Sequence, residues 1–156
     1  LTSYDDPIEK HKGRDPSLPS LVESTIQKLE NLDKPFFLLI ESAQIDWAAH
    51  DNDPMHMNSE MIEFDNTIKT VFDFIDKDDN TLVVITADHE TGGAAITGGN
   101  LLKSKVKNKY VSGSHTATMV PVFSSGYKAQ NFKGVYDNTE IFDKLRTIIE
   151  KWKKYF

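Results

Sequence analysis

The hydrophobic pattern alternates between helical stripes and short continuous apolar runs. Residues 1–19 are polar and punctuated by Pro7, Pro16 and Pro19, which reads as a loop or a cut edge. Ser20 is placed to cap a helix whose apolar positions Leu21, Ile26 and Leu29 recur at helical spacing, and Lys34-Pro35 ends it. Phe36–Ile40 follows as an unbroken apolar run, the pattern of a strand covered on both faces. A second helix is predicted from about Pro54 to Asp76, with Met57, Met61, Phe64, Ile68, Val71, Phe72 and Ile75 on one stripe. Lys77–Asn80 makes a turn, and Thr81–Thr86 repeats the buried-strand pattern.

Beyond that strand, Gly92, Gly93, Gly98 and Gly99 mark a loop, and Lys103–Lys109 is a basic, exposed stretch. Met119–Phe123 reads as a third strand, with Pro121 confining it to an edge or a strand start. Asn138 is expected to cap a last helix that turns Ile141, Phe142, Leu145, Ile148, Ile149 and Trp152 to the core. Helices alternating with apolar strands predict an α/β fold, a mostly parallel sheet flanked by helices. Three strands are fewer than a whole domain usually carries, so the architecture is expected to be partial.

Composition narrows the function. At 156 residues and 38% apolar content the chain can bury a core. A net charge of −6 argues against a nucleic-acid partner, and carboxylates gathered around a cation site are one source of such acidity, a solvated acidic surface another. With no cysteine, any metal site must use oxygen and imidazole ligands. No apolar run is long enough to span a bilayer. The start Leu-Thr-Ser-Tyr, without Met or an apolar leader, leads us to expect a chain cut from something longer.

Three segments carry chemistry, each beside an apolar run and so at the sheet edge where α/β folds bind ligands. In Glu41-Ser42-Ala43-Gln44-Ile45-Asp46-Trp47-Ala48-Ala49-His50, Asp46 and His50 are four apart and share a helix face. Glu41 at the strand tip suits a hard cation. In Thr86-Ala87-Asp88-His89-Glu90-Thr91-Gly92-Gly93, Asp88 and His89 converge only where the backbone turns, and they would then make a zinc ligand pair. In Gly113-Ser114-His115-Thr116, the imidazole leads into the third strand. Singly, each has a plain structural explanation: a helical Asp–His pair, a capping Asp, a packed histidine. Jointly they place three of the five histidines at one predicted edge, which favours a metal cluster. His11 and His56 are assigned to the surface.

As a set, "ESAQIDWAAHDND", "TADHETGG" and "SGSHTATMVPVFSSG" resemble the metal-binding blocks of the alkaline phosphatase family, in the family's order and over nearly the whole chain. Single pieces also resemble relatives such as cofactor-independent phosphoglycerate mutases. The resemblance implies that Asp46, His50 and His115 hold a first zinc, that Asp88 and His89 contribute to a second, and that Glu41 ligates a third metal, usually Mg²⁺. It implies a phosphate monoester substrate and a periplasmic or secreted enzyme. Two departures stand out. Trp47 follows the zinc aspartate where some relatives have a basic residue, so phosphate affinity or metal preference is expected to differ. The family's serine nucleophile, a bridging aspartate and a phosphate-binding arginine belong upstream. The forty residues before Glu41 hold no Asp-Ser-Ala elbow, and Arg14 and Arg146 stand in no matching context.

We therefore expect residues 1–156 to be the C-terminal part of an alkaline-phosphatase-like domain, inactive alone and with no catalytic serine of its own. One three-ligand zinc site should be moderately tight and the other two weak. A thin sheet with an exposed edge should dimerise or lean on a partner. A non-catalytic zinc-binding module and a phosphomutase of the same superfamily are the competing readings.

Overall fold

The computed structural model describes residues 7–152, without the side chain of Trp152, and divides into two compact units. Among the described residues the first comprises 7–74 and 91–117, the second 75–90 and 118–152.

In the first unit, α1 (Leu18–Glu30) is capped by Ser17, whose side chain accepts from Ser20 N–H, and Pro19 lies in its first turn. The cap is therefore Ser17 and not Ser20. Val22 and Ile26 are the buried positions. The short α2 (Gln44–His50) buries Ala48 and Ala49, whose small side chains let other backbone come close. Asp53 caps α3 (Pro54–Ile75), its carboxylate accepting from the N–H groups of Met55 (2.8 Å) and His56 (3.1 Å). Those bonds hold the Asp53 carboxyl below its ordinary pKa.

The buried face of α3 corrects the sequence expectation. The expected apolar stripe is at most half-buried and Met61 is exposed, whereas His56, Glu60, Glu63 and Thr67 are the buried positions. His56 is thus not a surface residue, while His11 is exposed as expected. The reason lies outside the helix. The segment before α1 lays cations over this face: Arg14 Nη1 and Nη2 donate to the two oxygens of Glu60 at 3.2 and 2.6 Å, and Nη2 also reaches Glu63. Lys10 Nζ sits 2.9 Å from Glu63, and the Lys10 N–H donates to Glu60 at 2.7 Å. Two carboxylates, one of them with no exposure at all, can be buried because two cations neutralise them.

Strands β3 (Ala95–Asn100) and β4 (Lys105–Lys109) form an antiparallel hairpin, Ala95 opposite Lys109 and Asn100 opposite Lys105. A two-residue β5 (His115–Thr116) pairs with β2 (Glu90–Thr91). In the second unit, β1 (Leu82–Ile85) pairs antiparallel with β6 (Phe123–Gly126), Leu82 opposite Gly126. A turn at Ala129–Phe132 buries Phe132, and α4 (Glu140–Trp152) buries Ile148 but leaves Phe142 and Ile149 exposed. Asp137, not Asn138, organises the turn into α4: its Oδ1 accepts from Thr139 N–H and Oγ1–H, and its carbonyl accepts from Glu140 N–H.

The expected mostly parallel sheet is not what the described residues show: both pairs with an extended register are antiparallel and two strands wide. Phe36–Ile40 carries no strand pairing, and Phe37 and Leu39 are exposed. A strand is stabilised through its neighbour's backbone, so an apolar run without one stays irregular. The third strand begins at Phe123, where the expected one ended, because Pro121 cannot donate to a ladder.

Candidate metal centre

α2 presents Asp46 and His50 one helical turn apart, on the face the sequence predicts. His115, the first residue of β5, completes a set whose three ligand atoms all lie within 4.8 Å of one another. His50 Nε2 is 3.4 Å from Asp46 Oδ2 and 3.1 Å from His115 Nε2, and His115 Nε2 is 3.9 Å from Asp46 Oδ1. Asp46 and His50 are half-buried and His115 is exposed, so the set opens to solvent on one side.

Two neighbours orient these ligands. His50 Nδ1 lies 2.8 Å from the Gly113 carbonyl, which can only accept, so Nδ1 carries the ring proton. In the neutral ring Nε2 then offers a lone pair toward Asp46 and His115. Thr91 Oγ1 donates to Asp46 Oδ1 at 2.5 Å and holds that carboxylate in place. Thr91 is itself buried and escaped the sequence reading, although it stands inside the "TADHETGG" block and begins the glycine turn.

The glycine turn explains why His115 arrives here. Gly92 has φ +83°, and a Cβ on it would meet the Ala49 carbonyl oxygen at 2.8 Å. Only glycine lets this turn lie against α2. Its N–H donates to the Ser114 carbonyl, and its own carbonyl accepts from Val111 and Ser112 N–H. The chain leaving Gly92 is thereby tied to the chain returning into His115.

The other expected ligands are placed differently. Asp88 and His89 follow β1 in the second unit at a bend, and His89 Nε2 is 3.2 Å from Asp88 Oδ2. The backbone does turn where the sequence required it. Asp88 is largely exposed and His89 about one-third exposed. Glu41 lies in the first unit at the end of an open groove of about 260 Å³ lined by Leu18, Leu21, Val22 and Leu38 to Ile40, and is not among the convergent triad.

The donor chemistry of the triad fits zinc. Two imidazoles and one carboxylate with an open side are the ligand set of a catalytic zinc, and the 3.1 and 3.4 Å separations are those of atoms sharing one small ion. Two Nε2 atoms this close would otherwise have to share a proton.

Comparison with known proteins points the same way. The alkaline phosphatase family matches residues 4–109. Alkaline phosphatase 4 of Bacillus subtilis is 37% identical over 138 residues, covering 86% of this chain and 30% of that protein. Alkaline phosphatase 3 of the same organism is 49% identical over 81 residues, covering 52% and 18%. Among solved structures, a variant of the TAB5 alkaline phosphatase with Mg bound in its M3 site superposes with a TM-score of 0.83 at 35% identity, covering 92% of this chain and 44% of that one. The chain thus spans about a third or less of the length of the curated relatives it matches.

Proposed function

Because the chain belongs to the alkaline phosphatase family, we propose that it supplies one zinc site, and part of two further metal sites, to an enzyme that hydrolyses phosphate monoesters. The observation that carries this reading is the convergence of Asp46, His50 and His115. In it, those three residues hold the first zinc, Asp88 and His89 contribute to the second, and Glu41 contributes to a Mg²⁺ site. When bound, the metals supply positive charge that offsets the charge of the transferring phosphoryl group.

What the chain's own residues do can be followed atom by atom. The Gly113 carbonyl holds Nδ1 of His50, so Nε2 is the ring nitrogen turned toward Asp46 and His115. Thr91 holds the Asp46 carboxylate at the angle that faces both imidazoles. Trp47, exposed beside Asp46, puts an apolar ring where a basic residue would attract phosphate. The serine nucleophile, a bridging carboxylate and a phosphate-binding arginine are supplied, in this proposal, by sequence outside the chain. Phe36–Ile40 takes its strand neighbour from the same source, and the chain alone is inactive and weak at the second and third metals. Export to the periplasm or the medium follows from the family resemblance. Among the described residues, no helix is long and apolar enough to cross a membrane.

The test is zinc content after metal loading and exhaustive dialysis, for the chain and for Asp46→Ala. About one zinc per chain, lost in the variant, is expected from a three-ligand site. Zinc that is absent, or indifferent to Asp46, overturns the assignment and favours a chain that keeps the motif without the centre. Turnover of an aryl phosphate by the full-length protein tests the reaction class, and a silent full-length enzyme with intact zinc would leave a binding module.

A further inference from the structure

The turn that leaves α2 carries a side chain the turn itself does not need. Asn52 has φ +52°, a left-handed conformation that asparagine adopts more readily than most residues. Its backbone N–H donates to the Ala49 carbonyl at 3.1 Å, and the Asp53 N–H donates to the Ala48 carbonyl at 3.0 Å. Backbone bonds therefore close the end of the helix, and glycine at this position would serve the turn as well. The Asn52 side chain points instead at two carbonyl oxygens, Ala49 at 3.1 Å and Ser112 at 2.8 Å. Carbonyls only accept, so the atom facing them is the amide nitrogen, and Asn52 donates to both.

The bond to Ser112 is the informative one, because it leaves the turn and reaches the loop that leads into β5. Ser112 in turn controls its neighbour. Its Oγ accepts from the Ser114 N–H at 2.9 Å, which orients the peptide plane carrying the Gly113 carbonyl. That carbonyl meets Nδ1 of His50 at 2.8 Å. Gly113 lies against α2, where a Cβ would meet the His50 carbonyl oxygen at 3.3 Å. A glycine backbone has many conformations open to it, so its carbonyl stays on His50 only if the residues around it are held. Gly92 holds the loop by backbone bonds from one side, and Asn52 holds it by a side chain from the other.

We propose that Asn52 is a positioning residue of the metal centre. Through Ser112 it keeps the Gly113 carbonyl on Nδ1 of His50, and so keeps Nε2 aimed at Asp46 and His115, 3.4 and 3.1 Å away. The proposal rests on reading those three residues as the ligands of one zinc.

Two substitutions test it. Asn52→Gly preserves the left-handed turn and deletes the amide, while Asn52→Asp keeps the shape and turns an oxygen toward both carbonyls. Zinc affinity is read by competition with a chelator. Independently of metal, the His50 imidazole proton that the Gly113 carbonyl accepts is followed by NMR in the metal-free protein and identified by its absence in His50→Gln. Both Asn52 variants should bind zinc about tenfold more weakly, the lower end of the usual cost of removing a group that supports a ligand. In both, the imidazole proton should exchange with water too fast to be seen. Asp53→Ala is the control: it removes the α3 cap one residue away without touching Ser112, and should change neither readout. Unaltered zinc affinity in Asn52→Gly, or an imidazole proton that survives there, overturns the proposal. So does an equal loss in Asp53→Ala, which would make the effect one of general stability. If the unsubstituted protein binds no zinc, the zinc reading fails, and the imidazole proton still decides whether Asn52 holds His50.

Discussion

The first unit holds two clusters of ionisable side chains, and they are built on opposite terms. In the seam on α3, Glu60 and Glu63 are buried and each meets a cation: Arg14 bridges both, and Lys10 reaches Glu63. In the α2–β5 cluster, Asp46, His50 and His115 stay partly open to water and turn potential ligand atoms toward one another. Burial with a matched countercharge makes the seam a structural element that nothing further can enter. Partial exposure with converging ligand atoms makes the second cluster a place for a cation. Ionisable groups at similar density therefore serve opposite ends, and what separates them is what each carboxylate faces.

That contrast can be broken by substitution. Arg14→Met should have the largest effect, destabilising the fold by about 3–5 kcal/mol because two buried carboxylates lose the guanidinium they share, leaving Lys10 to face them. Chemical denaturation with a fluorescence readout measures it. If Arg14→Met is nearly silent, the seam is decoration and the distinction fails. Thr91→Val acts on the other cluster. It should weaken zinc binding by about 10- to 100-fold, the usual cost of removing a group that orients a ligand, and a competition titration with a chelator reads this out. Its effect on the metal-free fold should be the smaller one.

Acid should separate the clusters further. Burial pushes the Glu63 carboxyl up, but hydrogen bonds and charge from Arg14 and Lys10 outweigh it and hold the group below its ordinary pKa. A carboxyl depressed in the folded state contributes stability that is complete above its unfolded pKa. That contribution is lost as pH falls through the lower folded value. Stability should accordingly hold from neutrality down to the ordinary glutamate range and decline below it, and Glu63→Gln should flatten that part of the curve. The smallest effect expected is at Asp53→Ala, which removes the α3 cap and costs about 1 kcal/mol by the same denaturation assay.

The two clusters also differ in how far the sequence reveals them. Asp46 and His50 declare themselves through one helical turn, and His115 through a glycine-framed block, so a local motif carries most of the centre. The seam has no such signature. Glu60 and Glu63 look like the solvated side of α3, and only Arg14, forty-six residues away in sequence from Glu60, makes them internal. His56 looks like a surface residue for the same reason. The helices are legible because periodicity is local, whereas Phe36–Ile40 has the pattern of a strand and an apolar run does not say whether a neighbour stands beside it. The β3–β4 hairpin was visible only as glycines followed by a basic stretch. Thr91 was hidden in plain view, since a hydroxyl that orients a carboxylate carries no spacing of its own.

The hydrogen bonds that join Gly92 to Val111, Ser112 and Ser114 have a consequence for how the protein can change. They close the neck of the hairpin, so the chain between Gly93 and Tyr110 leaves and re-enters at one fixed point. Lengthening a loop whose ends are already held together costs little, because closure entropy grows only slowly with length. The peptide bond joining Leu102 to Lys103 is therefore a natural insertion port. A tag, a reporter or a longer excursion could be spliced there while His115 keeps its place beside Asp46, and the neck would insulate the metal centre from whatever it carries.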